Sequence, residues 1–192
     1  MMTSSTRRRL SPEQRRSELL GIGARLFAQR PYEEVWIEEV AELAGVSRGL
    51  LYHYFATKRD FFAAIVREES EQLYALSDPD PALPNEQRLA AALDVYLDYV
   101  QQHEHGFRAV HRGAASADEG IRAIVREGQS RQAERIMAAL APGELGAEVL
   151  RLAVRGWFSF LTTVCLDWLD NPEISREQLR DLCARTLLSA VS

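Results

Sequence analysis

Between Val46 and Lys58 the chain reads Val-Ser-Arg-Gly-Leu-Leu-Tyr-His-Tyr-Phe-Ala-Thr-Lys, side chains suited to holding a polyanion and its base edges rather than to breaking bonds. Treated as a helix from about Ser47, at about 100° per residue, the run puts Ser47, Leu51 and Phe55 on one stripe. It turns Gly49 and His53 to the opposite side, with Leu50 and Tyr52 beside them. A glycine inside a helix costs about 1 kcal/mol relative to alanine, so its presence points to something that approaches the backbone closely. DNA in its major groove is such a partner. His53 can donate or accept at base edges and Leu50 can meet a thymine methyl, whereas Arg48, Tyr52, Tyr54 and Lys58 suit phosphate contacts. Tyr54 lies toward the inner edge, where packing is the competing role.

Other reactive residues form no catalytic or metal pattern. His103-Glu104-His105, with His111 nearby, invites a metal reading, but on a helix His103 and His105 point about 160° apart and lack the HExxH spacing. Neither a metal nor a cofactor is expected. No nucleophile motif, phosphate loop or paired Glu-x-x-His set occurs, so no catalytic residue is assigned. Cys165 and Cys183 lie far apart without a CxxC or Cys/His pattern and read as buried thiols of a cytoplasmic protein. Tyr96, Phe107, Val110, His111, Trp157, Phe158, Leu161 and Trp168 can line an apolar cavity for a small apolar or aromatic molecule, plain core packing being the alternative.

The elements that must position these residues are all helical. Residues 1 to 10 form a basic arm, read either as a solvated tail or as a strand lying along phosphates or the minor groove. Ser11-Pro12-Glu13-Gln14 carries an N-cap serine, a proline at N1 and a capping-box glutamine, so helix 1 runs from there to about Gln29 and stops at Pro31. Helix 2 spans about Trp36 to Ala44 and ends at Gly45. A short turn through Val46 and Ser47 then leads to the reading helix, which is the helix-turn-helix layout.

Glu39-Val40-Ala41-Glu42-Leu43-Ala44 followed by Gly45 through Lys58 closely resembles the DNA-binding motif of the tetracycline-repressor (TetR) family of bacterial transcriptional regulators. The resemblance covers about the first quarter of the chain. It implies an all-α homodimer whose three N-terminal helices bind a palindromic operator and whose variable C-terminal domain binds a small effector. It also implies that Ser47 starts the recognition helix, that Arg48, Gly49, Leu50, Tyr52, His53 and Tyr54 occupy its DNA-facing or backbone-contacting positions, and that Lys58 meets a phosphate at the start of helix 4. Thr57-Lys58-Arg59-Asp60 agrees physically, because a capped helix N-terminus and a lysine converge on one anion. Two positions depart from the family pattern. Pro31 stands where a glycine usually follows helix 1, and Trp36 replaces the Ser or Thr that usually caps helix 2, which puts the phosphate contact there in doubt. Glu38, Glu39 and Glu42 make helix 2 acidic and shift weight onto the arm and Lys58.

Residues 1–58 are therefore expected to be the DNA-binding domain and 59–192 the effector-binding and dimerisation domain. Helix 4, about 57–76, connects the two before the Pro-rich linker Ser77 to Pro84. Charge follows the same division. Residues 1–60 carry ten Lys/Arg against eight Asp/Glu, and the remainder thirteen against twenty. A basic reader joined to an acidic body fits.

In the body, Asn85 is expected to cap a helix running to about Gln102, a short segment covers Gly106 to Arg112, and a further helix covers Asp118 to Ala141 before Pro142-Gly143. Within residues 144–170, Leu150, Val154, Trp157, Leu161, Val164 and Trp168 form one apolar stripe, and Ala153, Gly156, Phe160 and Thr163 form a second, mostly small one. A helix apolar on two sides is buried on two sides, one against its own domain and the other against a second subunit. Ser175 caps the last helix, whose Leu179, Leu182, Cys183, Leu187 and Leu188 are expected to complete that contact. The uncharged run Gly156 to Leu166 is too short to cross a bilayer, and no membrane span is expected. An all-α interaction or ligand-binding protein without DNA, or a helical-bundle enzyme, are the competing classes. The first leaves Gly49, His53 and Lys58 unexplained.

Overall fold

The computed structural model describes residues 10–78, 80–140 and 146–191. The basic arm up to residue 9 and the Pro142-Gly143 stop lie outside the described residues. Among the described residues there are nine α-helices, two short 3-10 turns and no strand: α1 (Pro12–Gln29), α2 (Ile37–Ala44), α3 (Arg48–Tyr54), α4 (Lys58–Leu76), α5 (Asn85–Gln102), α6 (Glu104–His111), α7 (Glu119–Leu140), α8 (Ala147–Asp170) and α9 (Arg176–Val191). The fold is all-α, an N-terminal helix-turn-helix unit followed by a helical body.

Local chemistry explains most of the boundaries. Ser11 and Gln14 form the reciprocal capping box of α1, with Pro12 at its first position. Gly45 ends α2 in the left-handed region (φ 62°, ψ 40°), where L side chains are strained. The N–H of Val46 donates to the Ala41 carbonyl at 2.9 Å. Ser47 caps α3 and Thr57 caps α4, each accepting from a backbone N–H of the first turn. Ser175 and Gln178 make a second capping box before α9. Asn85 does not cap α5. Pro84 holds the N-cap position, where it offers no side-chain acceptor, and the Asn85 amide instead donates to the Ala139 carbonyl of α7 at 3.2 Å. The expected segment at Gly106 starts two residues earlier, at Glu104.

Two apolar cores result. The first joins α1, α2, α3 and the start of α4, centred on Leu19, Leu20, Phe27, Leu51, Phe61 and Phe62, and it also takes in Ala109 of α6 and Ile121 and Ile124 of α7. The second gathers Leu93, Leu97 and Val100 of α5, Phe107 of α6, the Leu150–Trp168 stripe of α8, and Leu179, Cys183 and Leu187 of α9. These last three are buried within the chain's own core, so of the α9 residues expected to complete the contact with a second subunit Leu182 is exposed and Leu188 half-buried. Helix α8 extends beyond its uncharged run to 24 residues and, by length and composition alone, could cross a bilayer. Leu150, Val154, Trp157, Leu161, Leu166 and Trp168 pack in the second core, while Val149 and Leu152 are exposed. Both cysteines are free and buried, and burial pushes their thiols up to about 12 for Cys165 and about 11 for Cys183.

Candidate nucleic-acid interface and ligand cavity

The reading helix is held from behind and open in front. Leu51 and Phe55 are sealed in the first core, and Phe55 packs edge-on to Phe61 with ring centroids 4.8 Å apart. Arg48, Gly49, Leu50, Tyr52 and His53 are exposed, and Tyr54 is half-buried against the first core. Gly49 is not required by packing: a Cβ built on it would meet nothing nearer than Ser47 Oγ at 4.0 Å. Its helix therefore carries the conformational cost of glycine without an internal reason for it.

The acidic face of α2 restrains the reading side chains. The Tyr52 hydroxyl donates to Glu38 Oε1 at 2.5 Å, which holds the carboxyl below its usual range and pushes the phenol up. Arg48 pairs with Glu42 at 3.6 Å, and Glu39 takes Arg30 at 2.7 Å. Each α2 carboxylate singled out in the sequence thus has a partner. Lys58 sits at the capped start of α4 with its ammonium 4.5 Å from the Tyr32 ring centroid and 3.4 Å from the Glu33 carbonyl. Partial burial lowers its pKa, and the nearby Glu33 and Glu38 charges oppose that shift. Trp36 makes no side-chain cap and stands 71% exposed at the start of α2. Sequence reasoning treated it only as a lost cap, although an indole at an N-cap has no helix face to hide on.

The body contains a cavity of about 200 Å³. Tyr96, Phe107, Val110, His111, Trp157, Phe158 and Leu161 all line it. Trp168 does not. It is buried lower in the second core, and its indole N–H donates to the Ile174 carbonyl at 2.9 Å, bracing the α8–α9 connection. Burial pushes the Tyr96 phenol well above its ordinary range and holds the His111 imidazole down at about 4, so this histidine is neutral at physiological pH. Tyr99 also lines the cavity and donates to Glu69 of α4 at 3.0 Å. Burial raises the Glu69 carboxyl despite the compensating His103 nearby. His103 faces Glu69 at 3.7 Å. No grouping of three or more possible metal ligands occurs among the described residues.

Sequence reasoning missed the polar part of the wall: Asn85 and Arg88 from α5, and Gln129, Gln132 and Arg135 from α7. The available signal was a set of polar residues interleaved with Leu89, Ala92, Ile136 and Ala139 on otherwise apolar faces.

Comparison with known proteins gives the chain its lineage. Residues 19–65 match the model for bacterial regulatory proteins of the tetR family, and residues 85–189 match the tetracyclin repressor-like C-terminal domain. The chain is 25% identical to the HTH-type transcriptional activator FasR of Mycolicibacterium smegmatis over 168 residues, 85% of this chain and 76% of that protein. It is 36% identical to the HTH-type transcriptional repressor AcnR of Corynebacterium diphtheriae over 59 residues, 31% of each chain. A tetR-family transcriptional regulator from Streptomyces coelicolor superposes with a TM-score of 0.85 at 31% identity, over 94% of this chain and 82% of that one. The fatty acid degradation regulator FadR from Bacillus halodurans shares the fold at 17% identity, with a TM-score of 0.73 over 94% of this chain and 96% of that one. With both segments matched and the reading helix exposed as such a protein requires, the chain belongs to the TetR family of helix-turn-helix transcriptional regulators, and it is a DNA-binding regulator of transcription.

Proposed function

We propose that the protein acts as a homodimer on a palindromic operator and is released from it when a small molecule fills the body cavity. Residues 1–58 serve as the reader and residues 59–192 as the effector-binding and dimerisation body. The observation that carries this reading is the open face of α3, where Gly49 leaves room for a close approach that nothing among the described residues uses. His53 and Leu50 read base edges; Arg48, Tyr52, Tyr54 and Lys58 hold phosphates, with Ser47 fixing the start of the helix. The chain works as a cytoplasmic, non-catalytic switch. Its lever is α4, which carries Lys58 at one end and lines the cavity with Val66, Ser70 and Leu73 further along. An effector with about 1–3 kcal/mol of preference for one spacing of the two reading helices is sufficient.

Activation is the second reading, favoured by one observation: the relative matched over most of the chain is named an activator, whereas the named repressor AcnR matches over a third of it. A mobility shift on the DNA upstream of the protein's own gene tests the common core. Salt-dependent binding to a palindrome is expected, and Lys58→Ala should weaken binding to all sequences alike and lower the salt slope by about one. Absence of sequence-preferring binding sinks the regulator mechanism. A promoter fusion then separates the signs, since deletion of the gene raises output under repression and lowers it under activation.

A further inference from the structure

The cavity is polarised. Tyr96, Phe107, Trp157, Phe158 and Leu161 make an apolar interior, whereas the end formed by the start of α5 and the second half of α7 carries two arginines. Among the described residues of the wall there is no carboxylate.

The two arginines differ in how they are held. Arg135 is committed: its guanidinium lies 3.6 Å from the Tyr74 ring centroid, donates to the Tyr74 carbonyl at 2.8 Å and faces Asp78 at 3.9 Å. Arg88 has no ion pair among the described residues, and its buried Nε has no hydrogen-bond partner. A buried donor of a charged group is normally satisfied, so an arginine of the cavity wall with no ion pair and an orphan Nε is short of an acceptor. Glu86, on the same turn, is exposed and is not part of the wall. Asn85 also lines this end, and the proline at the N-cap leaves the first turn of α5 without a side-chain cap.

We infer that Arg88 anchors an anionic head group, and that the effector is an amphiphile whose apolar chain or ring system fills the interior and ends in a carboxylate or a phosphate. The inference rests on the effector-cavity reading above and assigns it a ligand class. Guanidinium and carboxylate or phosphate match in a two-bond fork, which fixes the orientation of the ligand as well as its charge. The same head group can come from a free acid or from a phosphorylated carrier.

The test titrates the full-length protein calorimetrically with decanoate, decyl phosphate, decanol and decyltrimethylammonium. At least one of the two anions should bind ten times more tightly than decanol, and the cation should bind more weakly than decanol. Decanoate as the tighter anion identifies a free acid, and decyl phosphate a phosphorylated carrier. Arg88→Gln should bring the favoured anion to within twofold of decanol and leave decanol unchanged, and Arg88→Lys should restore part of the preference. The head-group comparison on the unaltered protein stands even if Arg88→Gln melts early. Decanol binding as tightly as both anions, no binding by either anion, or a preference that survives Arg88→Gln overturns the anchor. Operator binding by the ligand-free protein is measured separately, so the anchor can fail while the regulator reading stands.

Discussion

At the scale of single residues, helical glycines separate internal from external constraints. A Cβ on Gly23 of α1 would lie 2.5 Å from Phe61 Cε1 and 2.8 Å from Ile65 Cδ1, both in the first core, so α1 can approach α4 only without it. A Cβ on Gly49 enters open space. Gly21 is open too, on the solvent side of α1, so space alone assigns no role; what distinguishes Gly49 is its place on the exposed reading helix. Opposite outcomes follow for one chemical change. Gly23→Ala gains about 1 kcal/mol of helix propensity but costs about 1–3 in overpacking, for a net loss of stability. Gly49→Ala should keep or raise stability by up to about 1 kcal/mol while operator affinity falls at least tenfold. Denaturant unfolding and mobility shifts on both variants read the two effects apart. A Gly49→Ala protein that binds operator like the parent removes the close-approach argument.

At the scale of elements, α6 is placed to feel both cores. Phe107 belongs to the second core and His111 to the cavity wall, while Ala109 packs in the first core with the reader. Arg112 ties its end to Asp170 of α8 at 2.5 Å, and Arg108 reaches the same carboxylate. A ligand that displaces α6 therefore presses on the reader's core directly as well as through α4. The buried His111 gives this element a measurable pH signature. Its imidazole is held at about 4 in the folded chain against about 6.5 unfolded, so the unfolded state alone takes up a proton in that interval. Stability from this group is complete above about pH 6.5 and is lost as pH falls toward 4, by about 2 kcal/mol between pH 7 and 5. His111→Leu should flatten that part of the stability profile in denaturant titrations; an unchanged profile means His111 is not the titrating group. Much of this element level was legible in advance. Caps at Ser11, Ser47, Thr57 and Ser175 and the stop at Gly45 are local chemistry, so the helices and the reader's facing stripes followed from spacing. The role of Asn85, the exclusion of Trp168 from the cavity and the polar wall around Arg88 depend on which helices meet end to end, and single-helix periodicity carries no such information.

At the scale of the whole molecule, one face of the body has no partner among the described residues. Along α8, Val149, Leu152, Gly156 and Thr163 are exposed and Ala153 and Phe160 are half-buried, a continuous stripe at helical spacing opposite the one packed in the second core. Leu182 of α9 is also exposed. Gly156 repeats the argument made for Gly49, since its Cβ position is open and it sits in the middle of a 24-residue helix. In the proposed homodimer, a second copy crossing α8 at Gly156 would cover the stripe by the same surface on both partners, and two readers related by a twofold axis would meet two half-sites of a palindrome. Leu152 is 62% exposed, so Leu152→Glu should leave the chain's own stability within about 0.5 kcal/mol while placing like charges face to face across the axis. Light scattering should then show the parent as a dimer and the variant as a monomer. Because the second half-site no longer binds intramolecularly, operator affinity should fall by about 10²–10⁴. A parent that is monomeric at the concentrations where it binds operator, or a variant that remains dimeric and binds normally, places the subunit contact elsewhere.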